Sequence, residues 1–377
     1  MDIKCNRRQL AARLAAVSRF APTRTALPMT GNTLLRAEED QLTLTATDRT
    51  TTVSLEVPGA VVQGVGSMAV PARFLADLVK TLASEEVALR CQDGSLQIAA
   101  DCFDTRVRGF APDEFPVPPG EQTALVARIP AKSLAGAIRQ VHPAAATDGS
   151  QPILTGMFIR LADDAVTLAA ADGYRLAEAV VPLDSASVPT DVVVPAATMV
   201  RMARLLSGQT EPVEMLMSEA NTPVTFRLTG GQVSVSAIEG CYPDYREVIP
   251  STHNTRAVCD RQALLQAVRL ANVFAADQGT VRLTIADGEQ SQRTLTVGAT
   301  SVEGGDNTTL MDADVSGGAI STRFTCCYLI DALSVLDEPQ VALEFVDGRT
   351  AVVVRPVGAE QADQFMSVLM PVISVSD

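Results

Sequence analysis

The chain has 377 residues, of which 47% are hydrophobic and none is Trp, and a formal net charge of −14. That length exceeds one ordinary core and suits two or three domains, and no apolar run is long enough to span a bilayer. The acidic balance taken alone argues against a nucleic-acid partner, and seven scattered cysteines without CxxC spacing read as reduced thiols rather than a zinc site. The N-terminal MDIKCNRRQ enters a strand and a helix directly, without the apolar core of a secretory signal, so the chain reads as cytoplasmic.

Asn6 to Phe20 sets a pattern that returns five more times. On a helix, Leu10, Leu14 and Val17 make one apolar stripe, with Arg8 and Arg19 on the opposite side. Pro71 to Leu82 repeats it, with Phe74, Leu75, Leu78, Val79 and Leu82 opposing Arg73 and Lys80. Pro130 to Val141 sets Leu134, Ile138 and Val141 against Lys132 and Arg139, and Pro195 to Leu206 sets Met199, Met202 and Leu206 against Arg201 and Arg204. Asp260 to Asn272 and Arg323 to Leu336 are weaker copies. Starts recur roughly every 60 to 65 residues, the signature of an internal repeat. The six segments hold about 13 Lys and Arg against about 3 Asp, which leaves the rest of the chain near −24. Solvation of a helix face explains charge there, but not charge of one sign.

After each helix come strand-like stretches such as LTLTAT and TVSLEV, alternating with period two. Each repeat also carries one turn signal: Glu38 to Asp40, Asp93 with Gly94, Asp163 with Asp164, Gly230 with Gly231, Asp287 with Gly288, and Asp347 with Gly348. The predicted unit is strand, helix, then about three strands. Two units pack their helices together under a shared antiparallel sheet, giving an α+β domain. Proline-rich or polar punctuation at Phe115 to Thr123 and Pro250 to Arg256 divides the chain into 1–120, 124–248 and 256–377. Basic helix faces looking into a common space require a ring. Six helices at about 8 to 10 Å spacing leave no hole, whereas twelve leave roughly 20 to 28 Å, enough for a duplex. The geometry therefore asks for a closed dimer.

No Walker A loop, GxGxxG opening a helix, GxSxG or HExxH is present, so no cofactor, metal or catalytic residue is expected. Asp312 with Asp314, and Asp163 with Asp164, read as solvated loop acids. An enzyme acting through such paired carboxylates is the remotest reading. AADGYRL (170–176) and GCYPDYREV (240–248) are less ordinary, each presenting aromatic and basic residues after a turn. The apolar tail FMSVLMPVISVSD reads as docked in a groove or part of one.

LTLTATD, VPAR, ILTGM, ADGYRLA, YPDYREVIP and the terminal LMPV together resemble, in order and spacing, the bacterial DNA polymerase III beta subunit, the sliding clamp. The resemblance covers essentially the whole chain. It implies three similar domains, a head-to-tail ring dimer with helices around duplex DNA, a clamp loader that opens it, and polymerases tethered by short linear motifs. It implies a peptide pocket of Leu154, Ala171, Gly173, Tyr174, Arg175, Leu176, Pro243, Val248, Val368, Leu369, Met370, Pro371 and Val372. Arg24, Arg73, Arg201 and Arg204 would face DNA, and Thr105 and Val107 would close the ring against Val273 and Phe274. The chain departs from the family at Gln151, where a basic residue is common, at Ile373, where Arg is common, and in the added SVSD. These departures leave open a specialised second clamp acting mainly as a protein-binding platform.

Overall fold

The computed structural model describes residues 1–23, 27–116, 123–162, 164–183, 188–218, 222–275, 279–286, 294–301, 305–358 and 364–373. Arg24, Asp163, the Asp287 with Gly288 turn and the SVSD tail lie outside them. The six predicted helices form as α1 (Arg7–Val17), α2 (Ala72–Thr81), α3 (Ala131–Val141), α4 (Ala196–Ala203), α5 (Arg261–Phe274) and α6 (Cys326–Ser334). They are shorter than the apolar pattern suggested. Arg19 and Arg204 fall in the turns after α1 and α4, and Arg323 belongs to the strand Ile320–Thr325 before α6. Asn6 caps α1 by accepting the amides of Arg8 and Gln9, and Asp260 caps α5 by accepting that of Ala263, which fixes where each helix starts.

The chain divides into two compact units, Met1–Lys132 with Arg201–Ala237, and Ser133–Val200 with Ile238–Asp377. In the first, α1 packs on α2 through Leu10, Leu14 and Val17 against Leu75 and Val79, all at most 1% exposed. Below them lies a five-stranded sheet in the order Val61–Gly64, Asp2–Asn6, Glu86–Gln92, Ser95–Ala100, Phe103–Arg108. An eight-stranded sheet runs Ala124–Ile129, Val213–Met217, Val224–Leu228, Gly231–Val235, Thr51–Glu56, Gln41–Thr47, Asn32–Glu38, Gly66–Pro71. In the second unit α5 packs on α6, burying Leu264, Val268, Leu329 and Leu333. Its nine-stranded sheet runs Thr190–Pro195, Gly156–Ala162, Ala165–Ala171, Arg175–Pro182, Phe365–Leu369, Val352–Val357, Gln340–Phe345, Thr255–Asp260, Asp314–Ser316. Its four-stranded sheet runs Gly305–Asp312, Thr294–Ser301, Thr280–Ile285, Ile320–Thr325.

Every described pairing is antiparallel, as expected from the α+β reading, but the sheets do not close over one helix pair. Instead the strand Thr51–Glu56, which ends the first repeat, pairs with Gly231–Val235, which ends the fourth. Likewise Arg175–Pro182, ending the third, pairs with Phe365–Leu369, ending the sixth. An unpaired strand edge is a row of unsatisfied amides and carbonyls, and joining two such edges satisfies both. Two strands in the corresponding positions, Phe103–Arg108 and Gly305–Asp312, remain edges.

Candidate functional site

The site is built on the turn between Ala165–Ala171 and Arg175–Pro182. Asp172 holds it: one carboxylate oxygen, Oδ1, accepts the amides of Tyr174 at 2.9 Å and Arg175 at 3.0 Å. Gly173 has φ +91°, a left-handed conformation that glycine adopts without a Cβ clash. Arg175–Pro182 then pairs with Phe365–Leu369, placing Leu176 opposite Val368 and Arg175 opposite Leu369. The ladder continues as the Met370 amide donates to the Tyr174 carbonyl at 2.9 Å. Leu176 and Val368 are buried within the ladder, whereas Tyr174 and Met370, two positions away on the same face, lie just past the strand ends and are 65% and 43% exposed. The tail runs on beside Ile320–Thr325, where the Val372 amide donates to the Arg323 carbonyl at 2.8 Å; Val372 and Ile373 stay exposed.

Beneath this ladder Leu176 and Val368 join Phe158, Ala169, Val193, Tyr245, Ala351 and Val353 in one cluster, with Ala171 and Ile153 packed against it. Tyr242 stacks on Phe158 at 5.1 Å between centroids, and Tyr245 meets Phe158 edge-on at 6.2 Å. The Tyr245 hydroxyl donates to the buried carboxylate of Glu178 at 2.5 Å, with Arg246 Nε 3.9 Å from the same oxygen, so this buried acid does not go without a partner. Burial and the Glu178 hydrogen bond both push the Tyr245 phenol up, and burial pushes Tyr242 up to about 12, so both keep their protons at neutral pH. Leu154 is buried in the short helical turn Pro152–Thr155, while Pro243 and Val248, on either side of Tyr245 in sequence, are exposed. The structure thus gathers Ala171, Leu176 and Val368 in one core and sets Tyr174 beside Met370. Sequence reasoning missed Tyr242, Glu178 and Ile153. The aromatic spacing in GCYPDYREV was the available signal for the first, and a lone acid in an apolar strand was the signal for the second.

Arg175 is turned inward. Its Nε donates to Asp172 Oδ2 at 2.9 Å, its Nη1 donates to Asp331 Oδ2 at 2.6 Å, and its guanidinium lies 4.3 Å from the Tyr328 ring centroid. Burial alone would depress its pKa, but the hydrogen bonds to Asp331 and Asp172 outweigh burial and leave it above the ordinary arginine value.

The basic residues assigned to DNA divide into two groups. Arg8, Arg19, Arg73, Lys80, Lys132 and Arg204 are exposed, and none forms an ion pair with another described residue. Arg201 is committed elsewhere: Nη1 and Nη2 donate to Asp48 Oδ2 at 3.3 and 3.2 Å, and the guanidinium stacks 4.8 Å from the Phe20 centroid. Arg139 forms a forked ion pair with Asp337. At the edge strands, Val107 is buried and Thr105 partly so on Phe103–Arg108, whereas Val273 at the end of α5 is 71% exposed and Phe274 partly buried. All seven cysteines are unpaired, and among the described residues no cluster could hold a metal ion.

Three family profiles match the chain: the DNA polymerase III beta subunit N-terminal domain over residues 1–119, the central domain over 128–244 and the C-terminal domain over 246–372. The chain belongs to the DNA polymerase III beta subunit family. Among relatives, the beta sliding clamp of Synechococcus elongatus is 28% identical over 366 residues, covering 95% of this chain and 96% of that one. The beta sliding clamp of Staphylococcus aureus is 24% identical, covering 91% and 92%. The fold is that of the beta subunit of Streptococcus pyogenes DNA polymerase, with a TM-score of 0.92 at 22% identity over 99% of this chain and 100% of that one. It is also that of the DnaN sliding clamp of Pseudomonas aeruginosa bound to griselimycin, with a TM-score of 0.91 at 24% identity and the same coverage.

Proposed function

We propose that the chain, a non-catalytic sliding-clamp subunit by family, closes with a second copy into a ring around duplex DNA and tethers polymerases and a clamp loader through the groove at Tyr174. The observation that carries this reading is the unused pair of strand edges. Twice within the chain, a strand ending an odd-numbered repeat pairs with a strand ending a later even-numbered one. Gly305–Asp312 and Phe103–Arg108 are the odd and even members left over, and a head-to-tail copy brings one to the other. Exposed apolar side chains at both edges, Phe103 at 47% and Leu310 at 66%, fit burial in such a joint, as does Val273 on the helix packed against Gly305–Asp312. Two chains of three domains each, 1–120, 124–248 and 256–377, supply the twelve helices that a duplex requires.

On this reading Arg8, Arg19, Arg73, Lys80, Lys132 and Arg204 meet phosphates without reading sequence. The groove, rimmed by Tyr174, Val248 and Met370 over the buried Leu176 and Val368, receives an apolar peptide segment. The protein works in the cytoplasm; no described helix is long and apolar enough to cross a membrane. Sedimentation tests the joint directly. The expected mass is about twice 39.7 kDa, and Val273→Asp, at a side chain the single chain leaves exposed, should give a folded monomer. A wild-type monomer at micromolar concentration would overturn the ring.

A further inference from the structure

We propose that Asp331 on α6 is a positioning residue for the groove: it orients Arg175 and, through Arg175 and Asp172, the turn that presents Tyr174 beside Met370. The inference rests on the groove reading above and adds how the groove is kept in shape from outside. A guanidinium is a planar fork, and its orientation is fixed once two donors and one face are engaged. Here Nε is held by Asp172, Nη1 by Asp331 and the face by Tyr328. Asp172 in turn has both oxygens occupied, Oδ2 by Arg175 and Oδ1 by the amides of Tyr174 and Arg175. Asp331, 156 positions along the chain, thus closes a path from α6 to the backbone carbonyl that receives the Met370 amide.

Asp331 is not required for α6 itself to pack. Leu329 and Leu333 on the same helix are fully buried, whereas the Asp331 side chain is 43% exposed on one side and spends its other side on Arg175. Without it, Nη1 of a guanidinium only 12% exposed loses its acceptor, and the fork can rotate to find water. The turn then loosens where a ligand would bear on it.

The test uses the full chain and griselimycin as the probe. Asp331→Asn should weaken griselimycin roughly fivefold by calorimetry, the size of one coupled charged hydrogen bond. It should also speed hydrogen exchange at the Tyr174, Arg175 and Met370 amides while leaving the global unfolding midpoint and the dimer mass unchanged. Asp331→Glu, which keeps the charged acceptor where Asn offers only a neutral amide oxygen, should recover most of both effects, and Tyr328→Leu, which removes only the stacked face, should shift them in the same direction as Asp331→Asn. Unchanged affinity and unchanged exchange at those amides would overturn the proposal, and so would a uniform loss of protection across the chain. If the wild-type chain failed to bind griselimycin, the groove reading would fall, while the exchange comparison would still decide the role of Asp331.

Discussion

At Asp48 and again at Asp172, an aspartate opens the turn between two strands, takes two backbone amides on Oδ1 and gives Oδ2 to an arginine stacked on an aromatic ring. The two differ in where the arginine comes from. Arg201 reaches Asp48 from α4, so the turn supplies only the acid. Arg175 belongs to the strand that leaves its own turn, and α6 supplies a second acid, Asp331, as its sixth residue, the place Arg201 holds in α4. The first arrangement fastens a turn to a helix and exposes little beyond it. The second fastens the turn, leaves Tyr174 exposed and ties its carbonyl to Met370, which sets an exposed aromatic side chain beside the C-terminal strand. A basic residue on a helix face is therefore not by that fact a DNA contact.

Removing Arg201 should have the largest effect on stability. Arg201→Ala strips the guanidinium from Asp48 and from the Phe20 ring at a site about three-quarters buried, and should destabilise by about 2 kcal/mol in chemical denaturation. Arg201→Lys should recover only part of that, because an ammonium neither forks nor stacks as well. Asp172→Ala comes next. It frees two turn amides and one partner of Arg175, costing about 1 to 1.5 kcal/mol, and it should speed hydrogen exchange at the Tyr174 and Arg175 amides, whereas Asp48→Ala should leave those amides untouched.

Smaller effects sharpen the contrast between the turns. Arg49 has φ +76° where the second turn has Gly173. The left-handed strain of about 1 to 2 kcal/mol, offset by the extra freedom of an unfolded glycine, leaves about 0.5 kcal/mol to be gained by Arg49→Gly. The Arg139–Asp337 pair on the surface should contribute at most about 0.5 kcal/mol. Its hydrogen bond to Arg139 holds the Asp337 carboxyl below the usual range, so that contribution is present at neutral pH and lost only as acid titration passes through the lowered pKa. Arg139→Ala should correspondingly flatten the acid limb of the stability curve and leave the neutral plateau almost unchanged. On DNA, Arg204→Ala should reduce the slope of log K against log salt by about 0.9, and Arg201→Ala by much less.

The helices were legible because Leu10, Leu14 and Val17 and their counterparts repeat at helical spacing, and a local period needs no knowledge of the rest of the chain. The sheets were legible as strands but not as partners. Thr51–Glu56 finds Gly231–Val235 across most of two domains, and nothing local announces that choice. The same distance hid the roles of Arg201 and Arg175, whose acids lie 153 and 156 positions away. Arg323 was placed on a helix because the apolar run of α6 begins just after it, yet its backbone pairs with Arg282. Of the proposed groove, Tyr174 and Met370 stand out in the sequence as apolar residues beside turn and terminus. Glu178 stands out only as a lone acid in an apolar strand, because its burial depends on Tyr245 arriving from another segment.

The ring is tested most directly by topology. The protein is loaded onto a nicked circular duplex, its dwell time is measured, and the circle is then cut once with a restriction enzyme. Closure of Phe103–Arg108 on Gly305–Asp312 of a second copy predicts long retention on the circle and prompt loss from the ends of the linear product. It also predicts no retention on either by Val273→Asp. Equal dwell times on circular and linear DNA would contradict it.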